Sequence, residues 1–259
     1  MSSTAEAFMR LVTIMDELRE QCPWDRKQDI HSLRKLTIEE MYELVDAIMN
    51  EDFEGIKEEI GDIFLHLVFY AKIASEKQAF TLDEALNQIC EKLIKRHPHI
   101  YGDVKVESEE DVKKNWEQIK LDEGKKSVLE GVPQALPAMI KAFRLQEKTA
   151  TVGFEWNRIE DVWTKVEEER DELIHAVQSG DKQDIEEEFG DLLFALVNYS
   201  RFLEIDPEVA LEKVNKKFKS RFEFIEDNSP KALKEMSLDE MDALWNQAKG
   251  LEIKKGTQS

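Results

Sequence analysis

One arrangement of acidic residues occurs twice in this chain with unchanged spacing, and it limits the fold more than any other feature. Residues 39–70 and 168–199 align without a gap at an offset of 129, and 14 of the 32 positions are identical. Five acids match one for one: Glu39, Glu40, Glu43, Glu59 and Asp62 correspond to Glu168, Glu169, Glu172, Glu188 and Asp191. Similar acidic composition does not explain a glycine and a tyrosine that also match in register. The sequence therefore predicts two copies of one module, and 259 residues suffice for two domains of ordinary size.

The hydrophobic pattern predicts helices in nearly all of both copies. Apolar residues recur at spacings of three and four, and only 10 Gly and 6 Pro interrupt the chain. The predicted helices span 4–20, 29–49, 54–77, 81–97 and 108–122 in the first copy, and 135–150, 158–179, 181–204, 206–227 and 237–249 in the second. We expect an N-terminal domain at 1–123, a linker at 124–137 that contains Gly131 and Pro133, and a C-terminal domain at 138–254. The predicted fold class is all-α, with tandem duplicated helical bundles.

The charge of the chain excludes several classes of partner. A net charge of −20 argues against binding to a nucleic acid or to an anionic membrane, because both require a basic protein surface. No apolar run approaches the ~18 residues of a membrane helix, and the first ten residues do not resemble a signal peptide. Cys22 and Cys90 are too few for a disulfide framework. We therefore expect a cytoplasmic protein without a nucleic-acid or membrane partner.

The acidic residues have the spacing of a metal site. Glu40 and Glu43 lie three residues apart and share one helix face, as do Glu59 and Asp62 on the next helix. A helical hairpin brings the two pairs together, and four adjacent carboxylates repel one another unless cations neutralise them. Oxygen ligands suit Mg²⁺ or Mn²⁺, whereas Zn²⁺ prefers His and Cys. The alternative interpretation is a solvated acidic face.

Two neighbouring features favour the metal site over a solvated face. Asp62 and Asp191 directly precede apolar runs, where an uncompensated charge is unfavourable. Gly61 and Gly190 stand beside them inside predicted helices, at a cost of about 1 kcal/mol each relative to alanine. Such glycines indicate close packing or the close approach of a ligand.

Basic and aromatic residues of the second copy extend this interpretation. Lys217 and Arg221 lie one helical turn apart and can reach phosphate oxygens, although each could equally pair with surface acids. Trp245 and Lys249 place an aromatic ring and a cation on one helix face, although the Trp could instead close the core. No glycine-rich phosphate loop is present. Metals, cations and an aromatic surface together indicate a site for a nucleoside polyphosphate.

These motifs resemble those of a known enzyme family. Glu-Glu-x-x-Glu followed by Glu-x-x-Asp, present twice, is similar to the signature of the MazG-type nucleoside triphosphate pyrophosphohydrolases in their long, two-copy form. The resemblance covers nearly the whole chain and includes Cys22-Pro23-Trp24-Asp25, Arg96-His97-Pro98-His99 and the segment 152–156 (Val-Gly-Phe-Glu-Trp). The acidic motif alone is also shared with dimeric dUTPases, whereas its doubled form with these flanking strings is specific.

The resemblance implies that a homodimer hydrolyses nucleoside triphosphates to monophosphates and pyrophosphate with Mg²⁺, in the housekeeping or regulation of nucleotide pools. By similarity, the metal ligands of the second copy are Glu169, Glu172, Glu188 and Asp191, and those of the first are Glu40, Glu43, Glu59 and Asp62. The resemblance assigns Glu168 and Glu187 as a further ligand or general base, Lys165, Lys217, Arg221 and Lys249 as phosphate contacts, and Trp245 as the nucleoside contact. Within that set, Lys217 and Arg221 are also expected to assist catalysis by steadying the leaving group.

The two copies keep the same acids but differ at neighbouring positions. Lys165 of the second copy corresponds to Leu36 of the first, and Asn215, a potential polar contact, corresponds to Cys90. We therefore expect catalysis in the second copy. Two alternatives stay open: a non-catalytic acidic scaffold that binds cations, and a narrow pyrophosphohydrolase similar to a dUTPase. A pure scaffold gives no reason for the cations and tryptophan beside the acids.

Overall fold

The chain folds almost entirely into helices. The computed structural model describes residues 3–106, 108, 111–112, 115–116, 119 and 127–256, and these contain no strand. The helices are α1 (Ser3–Gln21), α2 (Ile30–Met49), α3 (Phe53–Glu76), α4 (Leu82–Arg96), α5 (Pro98–Tyr101), α6 (Ala138–Ala150), α7 (Ile159–Ser179), α8 (Lys182–Phe202), α9 (Pro207–Asn228) and α10 (Leu238–Gly256). None of these helices is long and apolar enough to cross a membrane. The all-α prediction is confirmed, and the helix predicted at 108–122 falls largely outside the described residues.

The chain divides into two compact units, Met1–Trp116 and Glu117–Ser259. In the first unit, α2 and α3 form a hairpin, and α1 and α4 pack against α3. The core of this unit is a cluster of fully buried apolar side chains: Met15, Leu33, Val68, Phe69 and Ile73. Four of its helices were predicted from the sequence, whereas the short α5 was not.

The second unit repeats the hairpin with α7 and α8. Helix α6 packs against α8, and α9 packs against α6, α8 and α10. Its most deeply buried apolar side chains are smaller than those of the first unit: Val162, Val166, Val197 and Ile225.

The turns of the two hairpins begin their second helices in the same way. Asp52 caps α3 by accepting hydrogen bonds from the amides of residues 54 and 55, at 3.2 and 3.1 Å. Asp181 caps α8 by accepting from the amides of residues 183 and 184, at 2.8 and 3.4 Å. These two aspartates are equivalent in the repeat, so the duplication preserves the cap and the chain reversal. In the second copy Gly180 has a positive φ of 80°, a conformation that glycine adopts without strain.

Two capping boxes predicted from the sequence are present. Thr81 and Glu84 exchange hydrogen bonds at the start of α4, and Ser237 and Glu240 do so at the start of α10. The expectation of close packing at Gly61 and Gly190 was wrong within one chain. A Cβ atom added at either glycine meets no other atom within 4 Å. Their second explanation, the close approach of a ligand, stays a prediction.

Candidate functional site

The hairpin of the second unit brings three of the four predicted metal ligands together, and the fourth, Asp191, lies outside that group. Glu169 and Glu172 on α7 and Glu188 on α8 offer carboxylate oxygens that all lie within 4.8 Å of one another. Helical spacing explains this arrangement, because residues three apart share one face of α7 and that face packs against α8. Glu169 is buried, and Glu172 is exposed. Asp191 lies one turn beyond Glu188 and raises the pKa of that carboxyl group, although burial is the larger cause.

The first unit has an equivalent cluster. Oxygen atoms of Glu40, Glu43 and Glu59 lie within 4.8 Å of one another. Oε2 of Glu59 is buried and accepts no hydrogen bond in the described structure. Asp62 lies close enough to raise the pKa of both Glu40 and Glu59, again after burial as the larger cause. A buried carboxylate oxygen without a partner is unfavourable, so the cluster is incomplete without a proton or a cation.

A lysine distinguishes the second cluster from the first. Lys165 Nζ lies 2.7 Å from Glu169 Oε1 and 2.9 Å from Glu168 Oε1. Its hydrogen bonds to these two carboxylates raise the lysine pKa above its usual value. In the first unit the equivalent residue is Leu36, which packs against the apolar core. The structure therefore places Lys165 at the acids, where it neutralises the most buried of them.

The two carboxylates of α7 interact directly. A hydrogen bond to Glu169 raises the pKa of Glu172, and the neighbouring Glu188 adds to the shift. Carboxylates crowded in this way repel one another, and a bound cation relieves the repulsion. Glu187 is exposed beside Glu188 and adds a smaller repulsion.

The remaining predicted residues gather on α9 and α10. Arg221 stacks on Trp245, with its Cζ atom 5.3 Å from the ring centroid, and the ring of Phe218 lies 5.2 Å from the same ring, tilted against it. Lys217 and Lys249 are exposed on the same two helices. These residues form a second cluster, and the structure does not bring any of them into the cavity wall. Asn215 instead donates to Glu212 at 3.1 Å.

A cavity of about 720 Å³ opens beside the acids of the second unit. Lys165, Glu169 and Asp191 line one part of it, and apolar and aromatic side chains from α6, α8 and the segment 153–156 line most of the rest. Phe154 and Trp156 belong to this wall. The sequence motifs did not predict this cavity, although the segment 152–156 had been identified as a family string.

An ion pair holds the aromatic segment against α8. Arg201 pairs with Glu155, and Arg201 Nη2 also donates to Asn198 Oδ1 at 3.2 Å. The side chain of Arg201 is largely buried, so the pair is shielded from solvent. The pair fixes the segment that carries Phe154 and Trp156 at the mouth of the site.

Comparisons with known proteins find similar sequences over most of the chain. The family model of the MazG nucleotide pyrophosphohydrolase domain matches the chain twice, at residues 28–101 and 159–224. A nucleoside triphosphate pyrophosphohydrolase/pyrophosphatase MazG from Thermotoga maritima is 45% identical over 94% of this chain and 96% of that protein. A nucleoside triphosphate pyrophosphohydrolase from Escherichia coli K12 is 40% identical over 94% and 97%. A crystal structure of a mazG-related protein from Thermotoga maritima aligns with a TM-score of 0.40 and 29% identity, over 44% of this chain and 98% of that one.

Proposed function

The chain belongs to the MazG family of nucleotide pyrophosphohydrolases, and from that premise we propose that it hydrolyses nucleoside triphosphates to monophosphates and pyrophosphate with Mg²⁺. The observation that carries the proposal is the carboxylate cluster of the second unit beside a cavity large enough for a nucleoside. Mn²⁺ fits the same oxygen ligands. In the same proposal the enzyme acts in the cytoplasm.

The proposed metal ligands are Glu169, Glu172, Glu188 and Asp191. Their donor set fits Mg²⁺ because it consists of carboxylate oxygens alone, and because the raised pKa values show that negative charge is in excess there. When bound, Mg²⁺ supplies charge neutralisation at the phosphates and activation of water. In the first unit Glu40, Glu43, Glu59 and Asp62 form the equivalent set, and the unpartnered Oε2 of Glu59 supports a cation there too.

The other predicted residues accept the proton of the attacking water or contact the substrate. Glu168 or Glu187 accepts the proton of the attacking water, since both carboxylates are exposed next to the cluster. Lys165 pairs with Glu169, and its ammonium group would contact a phosphate oxygen of the substrate if a metal took its place at that carboxylate. The exposed Lys217 and Lys249 and the half-buried Arg221 hold the phosphates of the leaving group, and Trp245 contacts the nucleoside.

The second copy carries the catalysis in this proposal, within the C-terminal domain at 138–254 that follows the linker at 124–137. Two differences support this assignment. Lys165 stands at the acids of the second copy, where the first copy has the apolar Leu36. The cavity lies in the second unit, whereas Phe69 is buried in the core at the equivalent position of the domain at 1–123. The first copy then contributes to the structure and binds cations.

We further propose a homodimer, because both copies expose the same apolar stripe. Ile60, Phe64 and Leu67 lie on one face of α3, and the equivalent Phe189, Leu193 and Leu196 lie on one face of α8; each is more than 40% exposed. Gly61 and Gly190 leave open space beside these stripes. Side chains of this size are unfavourable in water, and a second chain would cover them. Light scattering after chromatography tests this: the wild type elutes as a dimer, and Leu196→Glu elutes smaller.

The activity is tested by incubating the full chain with single nucleoside triphosphates and Mg²⁺ and separating the products. We expect equal amounts of monophosphate and pyrophosphate, and a loss of at least ~100-fold in Glu172→Ala. Glu186→Ala is the control, because Glu186 is exposed on α8 outside the cluster. Orthophosphate as the first product, or full activity in Glu172→Ala, contradicts the proposal.

The same panel separates the alternatives. Comparable rates on the eight canonical nucleotides favour a broad enzyme, and activity confined to dUTP, tested as a ninth substrate, favours the narrow form. A scaffold that only binds cations releases no product with any nucleotide.

A further inference from the structure

The cavity of the second unit contains an amide group whose orientation is fixed by its neighbours. Asn198 Oδ1 accepts a hydrogen bond from Arg201 Nη2 at 3.2 Å. A guanidinium group can only donate, so the oxygen of the amide must face Arg201 and its nitrogen must face away. In the described part of the chain Nδ2 has no protein acceptor. Asn198 therefore offers a free N–H donor within a wall that is otherwise mostly apolar.

The side-chain amide of Gln146, on α6, also belongs to the cavity wall, and its orientation is fixed in the opposite sense. Gln146 Nε2 donates to the backbone carbonyl of Phe194 at 2.9 Å, so its Oε1 faces elsewhere. Gln146 is only 7% exposed, and Oε1 has no partner in the described residues. The carbonyl that Gln146 binds lies one helical turn before Asn198 on α8. Since Oε1 of Gln146 is buried, the amide group that the wall offers to a ligand is the N–H donor of Asn198.

The first copy has no amide at the position equivalent to Asn198. Phe69 is the residue that aligns with Asn198 in the gapless repeat. Its ring is 2% exposed and packs with Leu33 and Ile73 in the core of the first unit. The same helical position is therefore filled with an apolar ring in one copy and lines a cavity with an amide in the other. This contrast indicates that the amide serves a ligand, since an apolar side chain serves packing better.

We propose that Asn198 is a base-reading residue, whose side-chain N–H donates a hydrogen bond to an acceptor on the nucleobase of the bound nucleotide. This inference rests on the proposed function, because it concerns the substrate of the same site. Phe154 and Trp156 supply aromatic faces against which a base stacks, and Lys165 and Glu169 mark the end of the cavity that meets the phosphates.

The test replaces the N–H donor of Asn198 with an oxygen acceptor. Asn198→Asp keeps the shape of the side chain and its pairing with Arg201, but presents oxygen where the nitrogen stood. UTP and CTP interchange a donor and an acceptor on one edge of the ring, so this variant is expected to change their ratio of kcat/KM by roughly tenfold or more. Asn198→Phe installs the residue of the first copy and is expected to raise KM by roughly 100-fold. Gln178→Leu, at an exposed position of α7, is the control and leaves the ratio unchanged.

A binding measurement without turnover separates this inference from the proposed function. Titration calorimetry with UMP and CMP in EDTA is expected to show saturable binding to the wild type and none to Asn198→Phe. Hydrolysis with an unchanged UTP to CTP ratio in Asn198→Asp overturns the base-reading role and leaves the function standing. Binding that depends on Asn198 in a protein without hydrolysis overturns the function and leaves the base-reading role standing. The absence of saturable binding to the wild type at millimolar monophosphate also overturns the base-reading role.

Discussion

Replacing Lys165 with leucine, the residue at the equivalent position of the first copy, separates its two proposed roles. In the free protein the lysine neutralises Glu169, at 2.7 Å, and Glu168, at 2.9 Å. Removing one partner of a buried pair costs about 3–5 kcal/mol, whereas an exposed pair contributes about 0–1 kcal/mol. The Lys165 side chain is 36% exposed and that of Glu169 is 9% exposed, so solvent screening reduces the expected loss to about 1–2 kcal/mol. Leucine and lysine have similar helix propensities, so the backbone contributes little to the difference.

The substitution of Lys165 is expected to weaken the folded protein but to strengthen its binding of metal ions. Lys165 competes with a cation for Glu169, so Lys165→Leu is expected to bind Mg²⁺ more tightly while it hydrolyses substrate more slowly. Urea unfolding in EDTA and in saturating Mg²⁺ measures the stability difference, and calorimetry measures metal affinity. The loss of stability is expected in EDTA and shrinks in Mg²⁺. Lys219→Leu is the control, because Lys219 is 78% exposed and 3.8 Å from its acidic partner. Equal effects of the two substitutions, or an unchanged difference in Mg²⁺, refute this role of Lys165.

Three further substitutions test other parts of the structure. Burial and the neighbouring carboxylates raise the pKa of Glu59 above its ordinary value. Its charged form therefore destabilises the folded, metal-free protein once the pH rises above the pKa that Glu59 has in the unfolded chain. Glu59→Gln therefore raises the melting temperature in EDTA at pH 7 and leaves it unchanged near pH 4; a fall at pH 7 contradicts the cluster. Phe69→Ala is expected to lower the unfolding free energy by about 3–5 kcal/mol in urea, because the ring is fully buried. Asp52→Ala removes a helix cap and is expected to cost about 1 kcal/mol in the same assay; no change contradicts the role of the cap.

The sequence predicted the helices well because their ends are encoded locally. Thr81 with Glu84 and Ser237 with Glu240 mark two helix starts within four residues of sequence, and Gly180 marks a helix end. The acid clusters were predictable for a related reason. Helical spacing places Glu169 beside Glu172, and a short turn can bring only the next helix against them.

The cavity was not predictable, because its wall joins segments that are distant in the chain. Gln146 and Phe194 meet across 48 residues, and Glu155 meets Arg201 across 46. The alignment of the two copies does contain the mismatch between Phe69 and Asn198. Its meaning depends on burial, which no local pattern encodes: one residue fills a core, and the other lines a cavity.

The central claim is that the acid cluster of the second copy, rather than that of the first, performs hydrolysis. Glu43→Ala and Glu172→Ala are the most direct test, because these glutamates are equivalent in the repeat and belong to matched clusters. Release of monophosphate and pyrophosphate is measured for both full-length variants with Mg²⁺ and the preferred triphosphate. We expect Glu172→Ala to lose at least ~100-fold in kcat/KM and Glu43→Ala to stay within about threefold of the wild type. A loss confined to Glu43→Ala, or an equal loss in both, contradicts the claim.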